Sequence, residues 1–417
     1  MLEGFYGPAW SFDERAEMLR FTWRARMNTL VWAPKGELLS RIFWRESYSA
    51  ETKHHLRDLA REARALEVML CAEVSPGNGI AYGDDLERAT LLAKLDGLVA
   101  LGIDCLALAF DDIPRELRAE DQARYPGGIG EAQADLIGAV FADLALRHPG
   151  VRLGFVPTDY STRAMDEHPE YTRQVAPRVP RSVFLGWTGS DVVSSTVTAA
   201  DVARVTALWG RPPLMGDNYP VTDGARDSGR LQLGPVVGRE AEAIVATEGW
   251  IANTLALPRA STIALLTVAE QLWDPARYDA EASWMRATQL IGSERVEALR
   301  TLARCARGSA LDPREAVALE ALADAWVERF PAPSPALAAQ LEAMAQVELD
   351  PRLSGELDPW SQKLAAYGRA GLGVIGASPD VAALRVEASR LAASPVVICG
   401  GVMDAFLARA LDRIEAR

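Results

Sequence analysis

The sequence predicts a (β/α)8 TIM barrel followed by a C-terminal α-helical bundle. Three observations carry that expectation. Eight short apolar runs alternate with amphipathic helical stretches through the first two-thirds of the chain. Most of the runs are continuously apolar rather than alternating, the pattern of strands buried on both faces of a parallel sheet. Past residue 276 the composition turns to Ala, Leu, Arg and Glu and no further strand-like run follows.

The runs occupy residues 2–6, 29–34, 68–74, 105–110, 152–157, 183–187, 213–215 and 249–253. After the first, Ser11-Phe12-Asp13-Glu14 is a capping box that opens a helix to about Arg26. Leu56, Leu59, Ala60 and Ala63 recur at helical spacing within residues 51–66. Residues 84–101 repeat the pattern and stop at Gly102, a C-cap residue. Helices are also expected over 131–147, 198–209, 239–247 and 261–273, whereas 161–180 is broken by Pro169, Pro177 and Pro180 and reads as irregular. Eight βα units in about 275 residues match a TIM barrel. The open doubly wound sheet is the alternative, but its glycine-rich phosphate turn is missing, because Gly4 and Gly7 have no third glycine behind them. Residues 1–276 are therefore expected to form the barrel, and 277–417, with breaks at Gly308, Pro313, Pro351 and Gly376, a bundle of five to seven helices.

The charge excludes some classes of partner. The 417 residues hold 57 acidic against 44 basic side chains, a net −13, with no basic stripe for a phosphate backbone. No nucleic-acid partner is expected. The four cysteines, Cys71, Cys105, Cys305 and Cys399, are widely spaced and the histidines number only four, so no zinc site is expected. No run approaches the ~18 apolar residues of a membrane span, and residues 1–6 do not resemble a signal peptide. Free thiols and these features give a cytoplasmic expectation.

Barrel chemistry gathers at the C-terminal ends of the strands. The run ends supply Glu3-Gly4-Phe5-Tyr6, Ala33-Pro34-Lys35, Glu73, Phe110-Asp111-Asp112, Thr158-Asp159-Tyr160, Trp187-Thr188-Gly189, Asp217-Asn218 with Asp223 beyond, and Asn253. Singly, each has a plain structural account. Lys35 serves equally well as a loop lysine, Asn218 and Asn253 as turn residues, Asp223 as a helix cap, Trp187 as core, and Glu120 and Asp121 as loop surface. Asp111-Asp112 is harder to explain that way, because two carboxylates follow an apolar strand at once and burying them unpartnered is costly. Paired carboxylates at a barrel strand end point either to metal binding, with Glu3, Glu37 and Glu73 as further ligands, or to acid–base work on a sugar. Both can face one pocket only if the strand has ended by Asp111, since successive strand side chains point to opposite faces.

These segments, together with Phe43-Trp44-Arg45, resemble glycoside hydrolase family 84, which includes the O-GlcNAcases and proteins described as hyaluronidase-like. The resemblance runs in order over about residues 2–275. It implies a retaining β-N-acetylglucosaminidase that works through an oxazoline, with no cofactor and no metal. Asp111 matches the carboxylate that orients the substrate acetamide, and Asp112 the general acid/base. Gly4 and Lys35 match groups near the sugar 3-hydroxyl, Tyr160 a tyrosine beside the acetamide, and Thr188 a wall of its pocket. Asn218, Asp223 and Asn253 match residues that hold the sugar, Asp223 at the 4- and 6-hydroxyls. The chain departs from the family where Gly216 replaces a tryptophan, Val156 a cysteine, and Gly7-Pro8-Ala9-Trp10 the usual Gly-x-Pro-Trp. The expected partner is a GlcNAc-bearing glycoprotein or glycoside, with other N-acetylhexosamine glycans and non-catalytic GlcNAc binding as the alternatives. The helical region is the place expected for any homodimer contact.

Overall fold

The computed structural model describes all 417 residues. Eight parallel strands run β1 (Leu2–Glu3), β2 (Thr29–Trp32), β3 (Met69–Val74), β4 (Cys105–Ala109), β5 (Arg152–Val156), β6 (Val183–Trp187), β7 (Leu214–Asp217) and β8 (Gly249–Ala252), each paired with the next. A parallel bridge from Leu2 to Asn253 and a hydrogen bond from Thr254 N to Leu2 O close β8 onto β1. The TIM barrel expected from the alternating pattern is present.

The intervening helices are α1 (Phe12–Arg24), α2 (Ala50–Ala65), α3 (Asp85–Val99), α4 (Ala119–Arg124), α5 (Ile129–Arg147), α6 (Thr162–Glu167), α7 (Pro169–Arg178), α8 (Ala199–Trp209), α9 (Ala241–Ala246) and α10 (Pro258–Trp273). Helix α1 begins with the Ser11/Glu14 capping box, both reciprocal bonds being made. The same device, Thr198 with Asp201, opens α8. Gly102 stands two residues beyond the α3 cap at Ala100, in the left-handed region at φ 95°.

Two sequence expectations are corrected. The connection at 161–180 is helical: Pro169 occupies the first turn of α7, where its missing N–H costs nothing, and Pro177 falls in the last turn. Asp121 is not loop surface. It lies in α4, 3% exposed, and accepts from Tyr82 N and Gly83 N at 3.1 and 2.7 Å, tying the β3–α3 loop down. Glu120 beside it is exposed.

After α10 come α11 (Ala280–Gly292), α12 (Val296–Arg304), α13 (Val317–Arg329), α14 (Pro335–Ala345), α15 (Pro351–Ile375), α16 (Val381–Ala392) and α17 (Val402–Glu415). The chain divides into two compact units. One comprises Met1–Val221, Gly238–Ala256 and Gln271–Arg277; the other comprises Thr222–Val237, Leu257–Glu270 and Tyr278–Arg417. The second unit thus draws two segments from before residue 276. No helix is long and apolar enough to cross a membrane.

The barrel interior shows how the strands aim their ends. Val31, Ala33, Cys71 and Cys105 cluster there, with Leu2, Met69, Ala107 and Ile251 packed against them. Every second residue of a strand shares a face. The inward series therefore continue from Leu2 to Gly4, from Val31 and Ala33 to Lys35, from Cys71 to Glu73, from Ala107 and Ala109 to Asp111, and from Ile251 to Asn253.

Candidate active site

The outward positions are structural. Glu3 faces α1, where Arg15 grips both its oxygens at 2.7 and 2.9 Å and Trp10 N donates at 3.1 Å. Burial pushes its carboxyl up, against the pull of Arg15. Asp217 is held in the same way by Arg239, with Nε and Nη2 donating at 3.0 and 2.7 Å, both side chains about 2% exposed or less, and by Trp250 Nε1 at 3.2 Å. These two carboxylates anchor strand ends rather than line a site.

The inward positions converge. Lys35 Nζ donates to Asp111 Oδ2 at 2.7 Å and to Glu73 Oε1 at 3.3 Å, and Ser75 Oγ reaches Glu73 at 3.4 Å. All three charged side chains are at most 15% exposed. Burial alone would lower the Lys35 ammonium, but Glu73 and Asp111 outweigh it and hold Lys35 above its ordinary range. Burial raises Glu73, with Lys35 opposing. One oxygen remains: Asp111 Oδ1 is buried and accepts no hydrogen bond from the chain.

Asp112 reaches the same neighbourhood by a different route. Strand β4 ends at Ala109, and Asp112 has φ +54°, in the left-handed region that non-glycine residues seldom occupy. That turn breaks the alternation which would send Asp112 to the opposite face from Asp111. Tyr6 OH donates to Asp112 Oδ2 at 2.8 Å, and Tyr160 OH to Oδ1 at 3.2 Å. Burial, with the Asp112 carboxylate next, pushes Tyr6 up to about 12 and raises Tyr160 well above the usual phenol range, so both stay donors.

Further round the barrel, Asn253 Oδ1 accepts from Gly4 N at 3.1 Å, and Asn253 Nδ2 donates to Asn218 Oδ1 at 3.0 Å. Asn218 Nδ2 donates to Val192 O at 2.8 Å. Thr188 is tied to its neighbours through the backbone of Tyr160 and Asp191. Its N donates to Tyr160 O at 2.9 Å and its Oγ1 to Asp191 O at 2.8 Å. Gly216, on β7, has room beside it: a Cβ there would meet nothing nearer than Trp187 O at 3.8 Å and Thr188 Cγ2 at 3.9 Å. The structure thus joins Lys35 to Asp111, Tyr160 to Asp112, and Gly4, Asn253 and Asn218 in a chain. Asp223 is exposed and belongs to the segment Thr222–Val237 of the second unit.

Around Asp112, Tyr6 and Arg41 carried no assigned site role in the sequence; Arg41 Nη2 donates to Tyr6 OH at 2.8 Å. Glu73, named there only as a possible metal ligand, is instead a partner of Lys35. Strand parity sets Glu73 on the inward face that Lys35 shares. Nothing local marks Arg41, which lies in the β2–α2 loop.

A family model described as beta-N-acetylglucosaminidase matches residues 1–304. The Protein O-GlcNAcases of Rattus norvegicus and Mus musculus are each 32% identical over 273 residues, which is 64% of this chain and 29% of those proteins. The chain therefore aligns with less than a third of the length of these relatives. Among solved structures, a mutant of the Thermobaculum terrenum O-GlcNAc hydrolase superposes with a TM-score of 0.87 at 26% identity, covering 99% of this chain and 93% of that one. CpGH84B gives 0.84 at 25% identity, covering 98% and 76%.

Proposed function

Because this chain belongs to the beta-N-acetylglucosaminidase family, we propose that it hydrolyses terminal β-linked N-acetylglucosamine, on protein serine or threonine or on related glycosides, with retention and through an oxazoline. The observation that carries the reading is Asp111: Lys35 holds one oxygen, and the other is buried without a partner in the chain. A buried carboxylate oxygen left without a donor is costly. An acetamide N–H is the donor that would complete it.

Asp111 and Asp112 are adjacent, with Cα atoms about 3.8 Å apart. A two-carboxylate retaining enzyme instead sets its carboxyls roughly 5 Å apart across the scissile bond. Neighbouring side chains are poorly suited to flank a bond on opposite sides, and substrate assistance, in which the substrate supplies the nucleophile, resolves the difficulty. The substrate's acetamide oxygen attacks the anomeric carbon while Asp111, charged, stabilises the positive charge growing on the acetamide N–H. Asp112 gives its proton to the glycosidic oxygen, and the aglycone leaves as the alcohol. Asp112, now ionised, takes a proton from water. That water attacks the anomeric carbon, the oxazoline C–O bond breaks, and the β-sugar is released with Asp112 protonated again.

The remaining residues hold the sugar. Lys35 fixes Asp111 and, with the Gly4 backbone, stands at the 3-hydroxyl. Tyr160 and Thr188 bound the acetamide, and Asn218 and Asn253 bind the ring. The reading places the protein in the cytoplasm, in keeping with four buried free thiols. Self-association through the helical unit would use its exposed apolar side chains, Leu290, Val317 and Val386.

The test is Asp112→Asn. Turnover of an aryl N-acetylglucosaminide should fall by about 10²–10⁴-fold, the usual worth of a general acid, while a thiazoline inhibitor still binds. Full activity in this variant would remove Asp112 from the mechanism.

A further inference from the structure

Asp112 is held by a relay that begins at an arginine. Arg41 Nη2 donates to the Tyr6 hydroxyl at 2.8 Å, and its guanidinium carbon lies 5.0 Å from the centroid of the Tyr6 ring. Tyr6 OH donates to Asp112 Oδ2 at 2.8 Å. The groups around Asp112 come from four segments: Tyr6 beyond β1, Lys35 and Arg41 beyond β2, Asp111 beside it beyond β4, and Tyr160 beyond β5.

A guanidinium can only donate, and a phenol has one proton to give. With Arg41 occupying one lone pair of the Tyr6 oxygen, the Tyr6 proton is turned toward Asp112 Oδ2. That arrangement suits an ionised Oδ2; a proton on Oδ2 would set two hydrogens between the same two oxygens. The Tyr6 bond also strengthens as Asp112 gives up its proton, because a bond to a carboxylate is about twice as strong as one to a neutral acceptor. Stabilisation that grows along the proton transfer lowers the barrier rather than the ground state.

We infer that Arg41 and Tyr6 form a positioning pair that favours the ionised form of Asp112, assisting proton release to the leaving group and readying the carboxylate to activate water. This rests on the hydrolase reading above. Arg41 acts only through Tyr6; no contact with substrate is asked of it.

The experiment is the pH dependence of kcat/KM for Tyr6→Phe, Arg41→Met and Arg41→Lys, on two aryl N-acetylglucosaminides, one with a poor leaving group and one so acidic that it leaves without a proton. On the poor leaving group, Tyr6→Phe should move the alkaline limb up by about one pH unit, the scale of one lost hydrogen bond to a charge. Arg41→Met should move it the same way by less, and Arg41→Lys should recover part of the shift. On the acidic leaving group the limb should stay in place while kcat falls, because only water activation then needs Asp112. A uniform drop in rate with unmoved limbs in both Tyr6→Phe and Arg41→Met would reduce the pair to packing and overturn the proposal. Should Tyr6→Phe unfold, Arg41→Met in its surface loop carries the same test alone. Wild-type protein inactive on every N-acetylglucosaminide would defeat the hydrolase reading, and the pair with it. That outcome is distinguishable because the failure lies in the wild type rather than in the variants.

Discussion

Lys35 is the cation that two buried carboxylates share. It stands between Glu73 and Asp111, both at most 15% exposed, and its ammonium is what lets both carboxylates remain buried. Lys35→Met should therefore destabilise the protein more at pH 8 than at pH 5. Without the cation the folded state raises the proton affinity of the carboxylates, so it binds more protons than the unfolded chain and stability falls as pH rises. Breaking one member of such a buried group costs about 3–5 kcal/mol. Urea unfolding at the two pH values measures the difference, and equal losses would contradict it. Most of this site was legible residue by residue. The polar residues stand where the runs end, so Asp111, Asp112, Lys35 and Asn253 could be named from the chain. Asp121 could not be placed correctly, because its value lies in two backbone N–H groups some 38 residues away that only folding brings to it.

At the scale of elements, the inward or outward parity of each strand sorts acidic residues that look alike in sequence. Glu3 and Asp217 end their strands facing outward and meet Arg15 and Arg239, whereas Glu73 and Asp111 face inward and share Lys35. The loops that follow are as constrained as the strands. Gly189, after β6, has φ +100°, and a Cβ there would lie 2.8 Å from Ser194 Cβ. Ser194 Oγ in turn donates to Thr188 O at 3.0 Å. Gly189→Ala should cost about 1–3 kcal/mol for the forbidden backbone and raise KM more than it lowers kcat, since it displaces Thr188 rather than the aspartates. Gly138→Ala in α5, where a Cβ meets nothing within 4 Å, is the control and should be neutral or stabilising by about 0.5–1 kcal/mol. Thermal unfolding and steady-state kinetics on the pair decide the matter; equal effects at the two glycines would refute the assignment.

For the molecule as a whole, acidity at neutral pH is not evenly tolerated. In the second unit Glu315 is 5% exposed, with Arg230 3.6 Å away. Burial outweighs Arg230 and the N–H groups of Gly308 and Gly400, and pushes its carboxyl up to about 7. A carboxyl whose folded value lies above its unfolded one makes the folded state bind the extra proton. Stability should then fall as pH rises from about 4.5 to 7 and level off above, by about 3 kcal/mol for this group. Glu315→Gln should remove that part of the decline. Differential calorimetry between pH 4.5 and 7.5 compares the two proteins, and parallel curves would exclude Glu315 as the source.

By itself the sequence determined the barrel, the order of its strands and the segments that supply the polar residues, because hydrophobic periodicity and capping are local properties of the chain. Only the tertiary structure decided that Glu3 and Asp217 are anchors, that Glu73 shares Lys35 with Asp111, and that Arg41 reaches Asp112 through Tyr6. Each of these depends on which distant strand or loop a side chain meets. The aspartate doublet shows both halves. Its place at the end of an apolar run is local. The left-handed turn at Asp112 that brings it to the hydroxyls of Tyr6 and Tyr160 is held by contacts from beyond β1 and β5, and no pattern within the run could have specified them.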